Sequence, residues 1–208
     1  MLRILGRTSS INVRKVLWTA AEVGTDFELD DAWAATRDVR SPEFLALNPN
    51  GLVPVLEDEH GVLWESNTIC RYLAAKAGRI DLLPDQPFAR AQVEKWMDWQ
   101  AGDLNAAWRP AFMALVRRHP DFLAAPAAVE RSIAQWNGLM MLLEQQLART
   151  GAYAAGPGFT LADVVLGLSV QRWLLTPMPR PEAPAIAAYR DRLLARPAVR
   201  ARLSPDTP

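Results

Sequence analysis

The sequence predicts an α/β domain over residues 1–80, a linker over 81–86 and an all-helical domain over 87–208. Two observations carry this. Up to residue 80, short strand-like runs alternate with helical ones, whereas beyond it every periodic segment has helical spacing. Between the two patterns, Leu83-Pro84-Asp85-Gln86-Pro87 is rich in turn formers and belongs to neither.

Leu2-Arg3-Ile4-Leu5 reads as the first strand, followed by the polar break Thr8-Ser9-Ser10. From Asn12 to Val23, apolar residues at Val13, Val16, Leu17, Ala20 and Ala21 have helical spacing, and Gly24 stops that helix as a C-cap. Phe27-Glu28-Leu29 is a second strand. Ser41 and Pro42 open a short helix as N-cap and first helical residue. Asn48-Pro49-Asn50-Gly51 is a turn cluster. Val53-Pro54-Val55-Leu56 and Val62-Leu63-Trp64 form a hairpin across Asp58-Glu59-His60-Gly61, and Ser66 caps a helix that Gly78 closes. The order βαβ, helix, hairpin, helix is the thioredoxin arrangement.

In the second part, Trp96, Trp99, Asp103, Ala106 and Ala107 lie along a long helix that Pro110 bends or breaks. Val129, Ile133, Trp136, Met140, Leu143 and Leu147 recur every three or four residues, the stripe of a buried helix face. Thr160 starts a helix that is apolar nearly all round and so belongs at the centre of a bundle; with Asp163 three residues on, it forms a capping box. The tail after Leu203 is expected to fray.

Composition narrows the functions. Lysine plus arginine equals aspartate plus glutamate, 23 against 23, so there is no electrostatic argument for nucleic acid or an anionic membrane as partner. A single cysteine, Cys70, excludes an internal disulfide and fits a reducing compartment. It sits beside Ile69 and Leu73 and is expected to be a packed residue. No stretch approaches the roughly 18 to 20 apolar residues of a membrane span, and no leader precedes the first strand, so the expected location is cytoplasmic. His60 and His119 have no metal-ligand spacing, and no metal is expected.

Three motifs in order then carry a family resemblance: Ser10-Ile11-Asn12-Val13-Arg14-Lys15-Val16, Asn48 through Leu56 with Glu65-Ser66-Asn67 following, and Phe159-Thr160-Leu161-Ala162-Asp163. Over its whole length the chain resembles the cytosolic glutathione transferases, with a first motif similar to the serine-type active-site turn of the phi and theta classes. The resemblance implies a detoxification enzyme that activates the glutathione thiolate for attack on a hydrophobic electrophile, and a homodimer. The alternatives are a glutathione-dependent disulfide or hydroperoxide reductase, and a binding or interaction protein that keeps the fold without catalysis.

Site residues follow from the same resemblance. A cis bond before Pro54 would leave the Val53 backbone free to pair with the cysteinyl unit of glutathione, a short peptide. The Ser66 hydroxyl and the first N–H groups of its helix would hold the γ-glutamyl α-carboxylate, and Glu65 the α-ammonium. Ser10, aided by Asn12, would donate to the bound sulfur and favour thiolate over thiol, lowering a pKa of about 8.5 toward neutrality. Thr8, Ser9 and Asn12 stay open as alternatives to Ser10. With no tyrosine or cysteine near the first strand, tyrosine-type and cysteine-type mechanisms are disfavoured. Asn50 and Arg40 are candidates for the glycyl carboxylate. Trp108, Phe112 and Met113, on the helix that faces the sulfur in this family, would line the electrophile site.

Overall fold

A computed structural model describes residues 1–200; the tail after Leu203 lies outside them. The chain divides into two compact units, Met1–Asp85 and Gln86–Pro208. No helix among the described residues is long and apolar enough to cross a membrane.

The first unit is thioredoxin-like. Its four strands are β1 (Arg3–Leu5), β2 (Glu28–Asp30), β3 (Val55–Asp58) and β4 (Gly61–Trp64), in sheet order β2-β1-β3-β4. The β1–β2 pair is parallel, joined through helix α1 (Ile11–Val23); the other two pairs are antiparallel. Ile4 stands opposite Leu29 on one side and Leu56 on the other. Helix α3 (Ser66–Lys76) packs against α1, burying Val13, Val16, Leu17, Ile69 and Leu73, each worth about 1.5–3 kcal/mol relative to exposure. A separate cluster of Leu5, Trp33, Phe44 and Val55 seats helix α2 (Pro42–Leu47).

Local chemistry sets the helix ends. Gly24 closes α1 in the left-handed conformation, φ 68°. The Ser41 side chain accepts the Phe44 N–H at the start of α2, with Pro42 first in the helix. Two expectations need correction. Val53 and Pro54 precede β3, which begins at Val55. The N-cap of α3 is Glu65 and not Ser66: the chain turns at Glu65 with φ 74°, so Ser66 is already helical, and the Glu65 side chain makes no capping hydrogen bond. The hairpin turn is fastened to α3 by Asp58, which accepts from the Tyr72 hydroxyl, from Lys76 Nζ at 2.9 Å and from the His60 N–H at 2.8 Å. Burial pushes the Asp58 carboxyl up, but these three donors together outweigh it and hold the group below the usual carboxylate range.

The second unit is helical: α4 (Pro87–Trp99), a π-helical turn (Gln100–Leu104), α5 (Asn105–Leu115), α6 (Pro120–Leu123), α7 (Pro126–Thr150), α8 (Leu161–Leu175), α9 (Pro184–Leu194) and α10 (Pro197–Arg200). Helix α8 is buried at every position from Leu161 to Trp173, as its all-round apolar sequence requires. Its capping residue Asp163 is a hub: Oδ2 accepts the Thr160 N–H at 2.8 Å and hydroxyl at 3.1 Å, while Oδ1 accepts the Ala154 N–H at 2.9 Å and the Tyr189 hydroxyl at 3.0 Å. Glu144 on α7 caps α9 in the same way, taking the Ala185 and Ile186 N–H groups at 2.9 and 2.8 Å.

Pro110 does not end its helix. The interruption falls earlier, at the π-helical turn, and α5 runs on through Pro110 to Leu115. The reason lies on α7, where the buried Ser132 hydroxyl accepts the Ala111 N–H at 3.0 Å and donates to the Ala107 carbonyl at 2.5 Å. A side chain thus fastens the helix on both sides of a residue that lacks an N–H. Ser132→Ala is expected to destabilise the protein by about 1–3 kcal/mol, because two buried backbone groups lose this partner. Urea unfolding of wild type and variant measures it, and an unchanged midpoint would remove the serine from this role.

Candidate functional site

Two adjoining cavities open on the first unit. The larger, about 660 Å³, falls in the range of small-molecule sites; the smaller is about 40 Å³. Asn12, Leu52 and Val53 line both. Ser10 lies on the larger cavity, and Pro54, Glu65 and Ser66 on the smaller. The structure therefore gathers residues from the end of β1, the start of α1, the loop before β3 and the start of α3.

Each is placed by its element. Ser10 occupies the N-cap position of α1 in extended backbone, yet its side chain makes no capping hydrogen bond, so the hydroxyl is not committed to the helix. It stands where the first N–H groups of α1 and the positive end of the helix dipole converge. Of the neighbours left open by sequence, Asn12 lines both cavities, whereas Thr8 and Ser9 line neither. The close approach behind this corner depends on Gly6 (φ 141°), where a Cβ would stand 2.7 Å from Val13 Cγ2 and 2.7 Å from Val53 Cβ.

The Val53–Pro54 peptide bond is cis. Neither the N–H nor the carbonyl of Val53 makes a backbone hydrogen bond among the described residues. Asn48, which sequence placed in a turn and in the second motif without a role of its own, organises the loop that presents Val53. Its Nδ2 donates to the Leu52 carbonyl at 2.7 Å, and its Oδ1 accepts the Asn50 N–H and Nδ2, both at 3.0 Å. Gly51 completes the turn with φ 63°.

At the smaller cavity, Ser66 is 6% exposed and Glu65 is exposed beside it. Glu65 holds a backbone conformation that residues with a Cβ seldom adopt, at a cost of order 1–3 kcal/mol. The Glu65 side chain makes no capping hydrogen bond to α3, and a helix start without such a cap is chemically suited to an anion.

Asn50 lines the smaller cavity, but Arg40 lines neither; its Nη1 donates to the Asn50 carbonyl at 3.3 Å. In the second unit, Phe112 is 3% exposed while Trp108 and Met113 are half-buried. The Arg172 guanidinium lies over the rings of Trp108 and Phe112 at 4.4 and 4.2 Å, and the Trp108 N–H donates to Asn105 Oδ1 at 2.8 Å. Cys70 is fully buried, and that burial pushes its thiol up to about 11 against the pull of the Thr19 hydroxyl and the Lys15 and Arg71 charges. Among the described residues, no cluster of histidine, cysteine, aspartate and glutamate has the make-up of a metal site.

Sequence reasoning missed Arg7, Asn48, Leu52 and the segment 34–39. The Asn-Pro-Asn-Gly turn was a usable signal for Asn48. Arg7 and Leu52 are chain neighbours of Ser10 and Val53 but belong to no feature that marks them, and the segment 34–39 reaches the cavity through long-range folding.

The chain is similar to known proteins over most of its length. The family model described as the glutathione S-transferase N-terminal domain matches residues 2–75. Glutathione S-transferase GstB of Escherichia coli (strain K12) is 38% identical over 205 residues, 96% of this chain and 96% of that protein. Glutathione S-transferase 3 of Zea mays is 36% identical, over 95% and 90% of the two chains. The crystal structure of the theta class glutathione S-transferase from Xanthomonas axonopodis pv. citri, with glutathione bound, is similar with a TM-score of 0.88 and 36% identity, covering 97% of this chain and 96% of that one.

Proposed function

Because this chain belongs to the glutathione S-transferase family, we propose that it activates the glutathione thiolate for attack on a hydrophobic electrophile. The observation that carries the reading is the uncommitted Ser10 hydroxyl on a cavity that shares Val53 with the smaller cavity at Glu65 and Ser66, the start of α3. Glutathione's cysteinyl unit pairs with the free N–H and carbonyl of Val53. Its γ-glutamyl carboxylate meets the Ser66 hydroxyl and the α3 N–H groups, and Glu65 receives the ammonium. Asn50 is proposed for the glycyl end, with Arg40 bracing its carbonyl.

In the chemical step, Ser10 donates to the sulfur and the start of α1 adds its dipole, so the thiol loses its proton to solvent near neutral pH. The thiolate attacks carbon, a C–S bond forms, and the leaving group departs with the electron pair of its own bond. Asn12 supports the same sulfur through its amide. Trp108, Phe112 and Met113 are proposed to line the electrophile site. The protein contributes thiolate stabilisation and proximity. The same reading makes it a cytoplasmic homodimer. Calorimetry with glutathione, followed by initial rates with an aryl chloride, a hydroperoxide and a mixed disulfide, tests it; no glutathione binding would end it, and faster turnover of the peroxide or disulfide would change the reaction class.

Glu65 supplies a second test. Glu65→Gly is expected to raise stability by about 1 kcal/mol, since glycine accepts the positive φ without a Cβ clash and gives part of that back in unfolded-chain entropy. Glutathione affinity should fall about tenfold or more with loss of the anion that meets the ammonium. Thermal unfolding and calorimetry on the same preparation measure both; unchanged affinity would free Glu65 from the site.

A further inference from the structure

We propose that Arg7 binds a carboxylate in the larger cavity. The proposal rests on the glutathione reading above and deepens it. Three charged residues line that cavity: Arg7, Arg37 and Asp38. Arg37 is committed, with Nη1 paired to Asp30 at 3.2 Å, Nη2 to Glu43 at 2.8 Å and the guanidinium 3.6 Å over Trp33. Asp38 accepts the Arg40 N–H at 2.8 Å. Arg7 is different: its backbone is pinned, but its guanidinium has no hydrogen bond or ion pair among the described residues. The Arg7 N–H donates to the Trp33 carbonyl at 3.0 Å, and its own carbonyl accepts the Ser10 N–H at 3.1 Å. The guanidinium therefore hangs from a fixed base, three residues before the hydroxyl assigned to the sulfur.

Two arginines against one aspartate leave the cavity wall with one positive charge in excess, and the uncommitted group carries it. A guanidinium fork matches a carboxylate in geometry as well as in charge. A wholly neutral ligand in the cavity would leave that fork unused. Arg40, the other cation considered for an acidic ligand end, donates to the Asn50 carbonyl and lines neither cavity. Two carboxylates reach a site beside the sulfur, the glycyl end of glutathione and one carried by the electrophile. The chemistry recognised is the same.

The test compares wild type, Arg7→Gln and Arg7→Lys on two pairs of ligands that differ in one charge. The first pair is glutathione and its glycyl amide, measured by calorimetry. The second is 4-chloro-3,5-dinitrobenzoate and its methyl ester, measured as kcat/KM. In both aryl chlorides the glutathione sulfur forms the C–S bond and chloride leaves with the C–Cl electron pair. The expected result for Arg7→Gln is a loss of about tenfold, roughly 1.4 kcal/mol, confined to the carboxylate-bearing member of one pair and partly restored in Arg7→Lys. Loss on glutathione but not its amide assigns the glycyl end, and loss on the benzoate but not its ester assigns the electrophile. Equal losses on charged and neutral members, or none on any, overturn the proposal while leaving the parent reading in place. A wild-type protein that binds no glutathione removes both.

Discussion

Ser10→Ala is expected to raise the pKa of the bound glutathione thiol by about one to two units and to lower kcat at pH 6.5 by about 10- to 100-fold, with a smaller change in KM. A hydrogen bond to a charged group contributes about 1.5–3 kcal/mol, and each pKa unit corresponds to about 1.4 kcal/mol. The hydroxyl qualifies because the helix it precedes does not use it: Ser10 sits at the N-cap with no capping bond. For the same reason, stability should hardly change, which separates this serine from an ordinary cap, where the alanine variant costs about 1 kcal/mol. Ultraviolet titration of the bound thiolate in wild type, Ser10→Ala and Asn12→Ala distinguishes the two candidate donors. A thiol pKa that moves only in Asn12→Ala transfers the role to the amide.

Asp163→Ala is the largest structural loss expected. The carboxylate is wholly buried, and four donors depend on it, from Thr160 twice, Ala154 and Tyr189. A capping box alone predicts a cost of about 0.5–2 kcal/mol. Orphaning two further buried donors raises the expectation to about 3–5 kcal/mol, a fall in Tm of about 10 °C for a chain of this length. Tyr189→Phe, which removes one donor and leaves the carboxylate, should cost about 1–1.5 kcal/mol. Burial pushes the Asp163 carboxyl up to about 6, against the pull of its donors. Since that value lies above the unfolded one of 3.8, this group's contribution is complete below about pH 4 and declines as the pH rises through 6. The stability of wild type relative to Asp163→Asn should decline over the same interval. Denaturant curves at pH 4.5 and 7.5 measure it, and a pH-independent difference would show that the carboxyl does not titrate there.

These residues also show what a sequence does and does not disclose. Gly24, Ser41-Pro42 and the 48–51 turn act through neighbours a few positions away, and their local chemistry was readable. Helix α8 was readable as central because its apolar residues leave no polar face. The Thr160–Asp163 pair was readable, but its partners Ala154 and Tyr189 were not, and the second lies 26 residues away. Pro110 looked like a break because the hydroxyl that fastens its helix comes from Ser132, 21 positions beyond Ala111. At the candidate site, Ser10, Val53, Glu65 and Ser66 were identified from motifs. Arg7 was not, although it stands three residues before Ser10, because no motif singled it out, and the 34–39 segment was not, because only the fold brings it to the cavity.

The inaccessibility of Cys70 has a practical consequence. With one sulfhydryl per chain, and that one sealed in the interior with its ionisation suppressed, the native protein is expected to be silent toward thiol-reactive dyes. A colorimetric count of sulfhydryls in a reaction mixture should therefore report the tripeptide alone, so its consumption can be read without subtracting an enzyme blank. A surface cysteine introduced for labelling would be the single reactive handle on the folded molecule.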